Sequence, residues 1–286
     1  MWILLAFGSA FFAGIVSILV KIGLKNTDSN LATALRTVVV VIFAWMMVFV
    51  VGSYTGLQNI DRRSLVFLVL SGLCTGGSWL CYFRALKFGD VNKVVPIDKS
   101  SVVLTMLMAF TFLREPLTLG GIFAIPLIGI GTFMMIQRKE IAKDDKSGHG
   151  WFFYAILAAV FASLQAILGS VGIAGIESNL GVAIRTVVVL IMAWSIVFMQ
   201  GKQREIKAVD KRSWIFLCLS GVATGVSWLM FYRALQLGPA SVVVPIDKLS
   251  ILVTIAFGCI VFREKMQKKA IVGLALIVAG TLGLLI

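Results

Sequence analysis

Apolar residues run along this chain in ten long stretches joined by short polar segments, at 2–20, 31–51, 65–86, 94–113, 117–136, 151–174, 180–199, 214–235, 242–262 and 270–286. Each is close to the ~20 residues that a helix needs to cross a hydrocarbon core of roughly 30 Å. A membrane barrel would show alternating stretches of about ten residues instead. The pattern predicts an all-α integral membrane protein of ten transmembrane helices. Composition points the same way, with 59% hydrophobic and 14% charged residues and a mean hydropathy of +1.00. A soluble domain of this length is far less apolar.

The stretches also repeat. Trp2 and Trp151, Arg36 and Arg185, Gly72 and Gly221, Trp79 and Trp228, Pro96 and Pro245, and Glu115 and Glu264 are each separated by 149 positions. Two five-helix halves, 1–137 and 151–286, are expected on either side of a lysine-rich, unrepeated linker at 138–150. The Trp2–Trp151 pairing makes the first stretch a retained helix rather than a cleaved signal peptide, which would also want a basic start that MWILLAF lacks.

Five is odd, so the second half should sit in the membrane upside down relative to the first. Loop charge bears on this, because Lys and Arg bias orientation. The joints after the odd-numbered spans carry 17 of the 26 basic residues and the opposite joints carry three. This places both termini outside. Inverted repeats of this kind are a construction of secondary transporters, with the substrate site near the midplane between the halves.

The runs ALKFGDVNKVVPI with FLREPLTLGGIFAIPLIGIG, and ALQLGPASVVVPI with VFREKMQKKAIVGLALIVAG, resemble the EamA domain of the drug/metabolite transporter superfamily. The resemblance covers both halves. It implies an exporter or exchanger of small metabolites that works by alternating access, often against a proton gradient, in the cell membrane. It also implies cytoplasmic termini, opposite to the charge pattern.

Charged side chains inside a span cost at least ~2.5 kcal/mol at the bilayer centre, which makes them functional candidates. Eight occur here: Arg36, Arg84, Asp98, Lys99, Arg185, Arg233, Asp247 and Lys248. Asp98, Ser101 and Thr105 share one helical face, and Asp247, Ser250 and Thr254 repeat it. Such a stripe suits either a substrate-lined cavity or hydroxyls bonded back to their own helix with the acid as an interhelical tie. Lys99 and Lys248 turn about 100° away from the aspartates, toward another helix or the interface. Pro96 and Pro245 suit a helix start capped by Asn92 or Ser241; the alternative is a bend that frees carbonyls. With each acid one turn into its helix, the pair would lie ~7 Å below opposite faces and serve as gates.

Ser71, Thr75, Ser78 and Tyr82 form a second hydroxylated stripe, and Gly72, Gly76, Gly221 and Gly225 a close-packing pattern. Trp79 and Trp228 fall in mid-span, as pocket walls or as core. Arg84 and Arg233 close their helices, where they could bind an anion or snorkel. Glu115 and Glu264 suit helix capping or a surface ion pair.

Nothing in the chain resembles a nucleophile–base pair, a phosphate loop or a metal cluster, so neither an enzyme nor a cofactor is expected. Cys74, Cys81, Cys218 and Cys259 lack ligand spacing and read as small core residues. His149 lies in the linker, which leaves Asp98 and Asp247 as the groups able to couple transport to protons. The dispersed basic residues do not form a nucleic-acid surface. The expectation is a monomeric or homodimeric secondary transporter of an amino acid or organic acid; the alternative is a passive channel or lipid scramblase. Substrate contact would fall to Trp79, Tyr82, Arg84, Asp98, Ser101, Thr105, Trp228, Arg233, Asp247, Ser250 and Thr254. Coupling or gating would fall to Asp98, Lys99, Asp247, Lys248, Arg36 and Arg185.

Overall fold

The computed structural model describes residues 1–23, 27–88, 94, 97–116, 118–135, 150–261 and 267–285. Those residues form eleven α-helices and no strand: α1 (Trp2–Gly23), α2 (Ser29–Val51), α3 (Arg62–Phe88), α4 (Ser101–Phe112), α5 (Leu119–Met134), α6 (Gly150–Ile173), α7 (Ser178–Met199), α8 (Lys211–Leu237), α9 (Ala240–Lys248), α10 (Ser250–Val261) and α11 (Lys268–Gly283). Short 3-10 turns at Ser53–Asn59 and Lys202–Ala208 follow α2 and α7.

Helix starts follow the capping rules. Asp28 accepts from the N–H groups of Asn30 and Leu31, Thr118 from Gly121, Glu177 from Leu180 and Asp210 from Ser213, each satisfying donors that a first turn leaves open. The Ser213 hydroxyl and backbone N–H hold Asp210 below its ordinary carboxylate range. That cap is fully formed above the unfolded-state value and is lost as pH falls through the depressed folded value.

Among the described residues seven segments are long and apolar enough to cross a membrane, the seventh running from Ala240 to Phe257 across the joint between α9 and α10. This differs from the expected ten. At ~1.5 Å per residue, α4 is only ~18 Å long and α5 and α11 are each ~24 Å, short of the ~30 Å core. Large apolar side chains nonetheless cover the outside of the bundle, with Ile42, Phe123, Phe133 and Ile260 each more than 60% exposed. A surface like that belongs in lipid. This is a multi-pass membrane protein.

The packing is unchanged when positions 149 apart are exchanged. Helix α1 lies antiparallel along α8, and α3 lies antiparallel along α6; α2 packs on α7 and α5 on α11. Each half thus packs mainly on the other. Glycines set the distance of approach: a Cβ on Gly72 would meet Val188 at 2.7 Å and the Arg185 carbonyl at 3.2 Å, and one on Gly221 would meet Val39 at 2.6 Å and the Arg36 carbonyl at 2.9 Å. In the α5–α11 contact a Cβ on Gly131 or on Gly273 would meet the other's carbonyl oxygen at 2.5 Å.

Pro245 is the sixth residue of α9, so the helix-start reading does not hold for it. Its ring removes the N–H that would bond Ser241, and the helix breaks one turn later at Leu249, whose N–H bonds Ile246 O at 2.9 Å. The equivalent Ser100 also sits at a turn, its hydroxyl donating to Ile97 O at 2.6 Å. Pro96, Asn92, His149, Glu264 and the linker at 138–149 lie outside the described residues. The cysteines are not in the buried core: Cys74, Cys81 and Cys218 are half-buried and Cys259 is exposed. A thiol facing lipid meets an apolar environment as a core thiol does, so apolar neighbours in sequence do not imply burial.

Replacement of Gly131 by Val should cost about 1–3 kcal/mol through forced separation of α5 and α11. Gly129→Ala, where a Cβ meets nothing nearer than 3.5 Å, should leave the melting temperature in detergent unchanged or slightly raised.

Candidate functional site

Where the two halves meet, a cavity of about 200 Å³ opens between α3, α4, α6, α7, α8 and α9, lined among others by Trp79, Thr105, Arg185, Trp228, Asp247 and Lys248. It is smaller than the ~300–1,000 Å³ typical of drug-sized pockets and is proportioned for a small metabolite.

Arg185 is its most constrained side chain. It projects from α7 and is 3% exposed. Its Nε donates to Ser71 Oγ at 3.0 Å, and its Nη2 donates to Thr75 Oγ1 at 2.7 Å and to Gln165 Oε1 at 3.0 Å. The Trp228 and Tyr232 rings lie 4.9 and 5.0 Å from the guanidinium carbon, in range for cation–π attraction. Ser71 is fixed in turn by donating to Gln165 O at 2.6 Å, and Thr75 by Gln165 Oε1 at 2.6 Å.

Asp247 stands in the same cavity at the end of α9. Ser9 donates to its Oδ1 at 2.6 Å, and Ser227 joins the cluster through Ser9 Oγ at 3.2 Å and Ser9 O at 3.1 Å. Lys248 lines the cavity with an exposed side chain and lies within electrostatic reach of both Asp98 and Asp247. The Asp98–Lys99 and Asp247–Lys248 pairs therefore approach one another, rather than standing apart near opposite faces. In the second half the break in the ninth span is the physical reason: Asp247 and Lys248 sit at the end of the short helix α9, not at the start of a full span.

The remaining candidates separate. Ser101 and Thr105 line the cavity, while Thr105 bonds back to Ser101 O at 2.8 Å, so both readings of the first stripe describe it. In the second stripe Thr254 bonds Ser250 O at 3.1 Å and Gly14 O at 3.4 Å, facing α1 rather than the cavity. Trp79 and Trp228 wall the cavity and also pack on buried clusters. Tyr82 packs beside Ala85, Val94 and Ala155. Arg84 lies over the Tyr154 ring at 5.1 Å, and Arg233 donates to Gln236, whose amide in turn donates to Ile173 O and Ile176 O. Both arginines are thus held at helix ends away from the cavity. Arg36 buries an Nε that has no partner among the described residues, outside the cavity lining. Lys99 is exposed and close to Asp98 and Lys248.

The model for the EamA-like transporter family matches residues 1–137 and 149–286. The chain belongs to the EamA-like transporter family. An uncharacterized transporter from the cobO 3′ region of a Sinorhizobium species is 45% identical over 132 residues, which are 46% of this chain and 94% of that protein. An uncharacterized protein of Methanocaldococcus jannaschii is 30% identical over 104 residues, 33% of this chain and 75% of that protein. A solved structure described only as a protein superposes with a TM-score of 0.78 at 15% identity, covering 99% of this chain and 96% of its own, and so shares the fold.

In this EamA-like transporter two cavity residues and one that bonds Asp247 carried signals that sequence reading passed over. Gln165 is an amide in mid-span that its repeat partner Val16 does not share, Ser9 likewise pairs with Ala158, and Tyr232 pairs with Phe83. Positions that break the repeat are where the two halves of a shared site would differ.

Glu115 ties the halves together at one end of the bundle. Its carboxylate accepts from the N–H groups of Ala240 at 2.6 Å and Ser241 at 2.9 Å, capping α9 from the other half. The backbone reaches this position through Arg114 in a left-handed conformation, φ 54°, which costs a non-glycine residue about 1–2 kcal/mol. Glu115→Ala should lower stability by about 0.5–2 kcal/mol, as loss of a cap does. Glu115→Gln should recover part of this in the same thermal melt.

Proposed function

We propose that this protein is a secondary active transporter of a small polar metabolite, an amino acid or organic acid, and that it works by alternating access between two inverted five-helix repeats, 1–137 and 151–286. The observation that carries this reading is the small polar cavity between the halves, with Arg185 and Asp247 on its walls and tryptophans at equivalent positions of both repeats beside them.

Loop contacts support ten crossings and inversion. Asn30, after the first span, donates to Gln200, after the seventh, at 2.7 Å. Glu115, after the fourth span, caps a helix that begins after the eighth. Contact between loops requires an even number of crossings between them, which ten successive spans provide for both contacts, whereas seven long helices alone leave an odd number between Glu115 and Ala240. Trp2 packs against Gly238, at the end of the eighth span, and its twin Trp151 packs near Ala85, at the end of the third, so the twins occupy opposite faces. A relative of which 94% aligns with less than half of this chain fits a five-helix unit able to exist as its own polypeptide.

The unsealed cavity gives the mechanism its substrate step: a molecule enters from one face, displaces water from Arg185 and Asp247, and leaves from the other after the halves rock about their shared interface. Asp247 and Asp98 are the acids within reach of this path, so a coupled proton would reside on one of them.

In proteoliposomes, efflux of a loaded amino acid or organic acid should saturate and should be accelerated by the same compound outside. Flux without trans-stimulation would assign a channel or scramblase instead. Asp98→Asn combined with Asp247→Asn should abolish proton movement in step with substrate, and a stoichiometric proton flux surviving both would reject proton coupling through these acids.

A further inference from the structure

We propose that Arg185 is the anchor for a single carboxylate on the transported molecule, bound through Nη1, and that the molecule is therefore a small monocarboxylate, zwitterionic amino acids included. This rests on the transport reading above and adds the chemistry of the site.

The guanidinium has five N–H donors. Three are taken by Ser71, Thr75 and Gln165, all neutral acceptors. Nη1 is buried and has no partner among the described residues. Among the described residues no carboxylate lies within ion-pairing distance of Arg185. A 3% exposed cation is thus fixed by dipoles and aromatic faces but lacks a counter-charge. Burial without a counter-ion is costly unless something supplies one, and Arg185 lines the cavity with Nη1 as its uncommitted end.

The held side chain has its own geometry. With Nε and Nη2 committed, the guanidinium cannot rotate to offer its side-on fork, so an incoming anion meets the end carrying Nη1. The Trp228 and Tyr232 rings fix the plane. A carboxylate oxygen can accept both of these conditions, and a charged acceptor makes the stronger, shorter bond.

The charge of the cavity selects the class. Arg185 and Lys248 oppose Asp247, leaving one positive charge in excess. A monoanion neutralises it, whereas a phosphate dianion would bring a second charge toward Asp247. An amino acid's ammonium would have Asp247 as a partner.

The repeat twin is not a second copy of this anchor. Arg36 has Val16 in place of Gln165 and Phe83 in place of Tyr232, so neither the Gln165 amide nor the Tyr232 hydroxyl has a counterpart in the first half. One end of the substrate is therefore read by the second half's arginine alone.

The test uses the full chain in detergent, with acetate as the smallest carboxylate and acetamide as its uncharged isostere, at matched ionic strength in chloride. Acetate should raise the melting temperature and change tryptophan fluorescence through Trp228, and acetamide should do neither. Arg185→Gln should weaken the acetate response about tenfold or more, the loss expected for a hydrogen bond to a charged group. Arg185→Lys, which keeps charge without the fixed fork, and Gln165→Val, which installs the first half's residue, should each weaken it by a smaller factor. No acetate response, an equal response to acetamide, or a response that survives in all three variants would overturn the proposal. Counterflow that persists unchanged in Arg185→Gln would reject the anchor while leaving transport standing. Acetate binding with this pattern, but no counterflow of any carboxylate, would reject transport and leave the anchor.

Discussion

Lipid tails are as apolar as leucine, so helices in a bilayer gain little by burying apolar side chains against one another, and close backbone approach has to hold the bundle together. In this protein that approach occurs mainly between halves. Gly72 lets α3 reach the backbone of α7 beside Arg185, Gly221 does the same for α8 beside Arg36, and the Gly131–Gly273 pair closes α5 on α11. The cavity inherits its width from these contacts. Ser71 and Thr75 reach Arg185 only because the glycine between them admits the helix that carries it.

Polarity at the centre is then distributed unevenly over a nearly even scaffold. The two halves share backbone packing, tryptophans and aspartates, yet differ in the groups that satisfy them. Asp247 has Ser9, whose repeat partner is Ala158, without a hydroxyl; the backbone bond survives in both, from Ser227 to Ser9 O at 3.1 Å and from Ser78 to Ala158 O at 3.0 Å. A duplicated frame thus carries unlike polar groups on its two sides of the cavity.

Much of this was legible in the sequence because hydropathy and a fixed 149-residue offset survive without knowledge of packing. The all-helical membrane character and the mid-span position of the tryptophans, Arg185 and Asp247 could be read from residue type and depth, and the family from the resemblance of its doubled turn motifs. The broken helix at Leu249 could not, because a proline near an expected boundary fits a start as well as a break. Arg84 and Arg233 were misleading for a related reason: charge near a helix end is drawn by Tyr154 or Gln236 as readily as by a substrate. Gln165 was missed because attention to the repeat favours what both halves share, whereas its value lies in being unmatched.

The carboxylate of Glu115 gives α9 a particular mechanical form. One end of this nine-residue rod is pinned to the opposite half by two hydrogen bonds, and the other ends at the turn before α10, which lies along α1. Asp247 and Lys248 are at the far end, ~12 Å from the pin at 1.5 Å per residue. A tilt about Glu115 would carry them through the widest arc of the helix, the geometry of a lever with its charges at the tip.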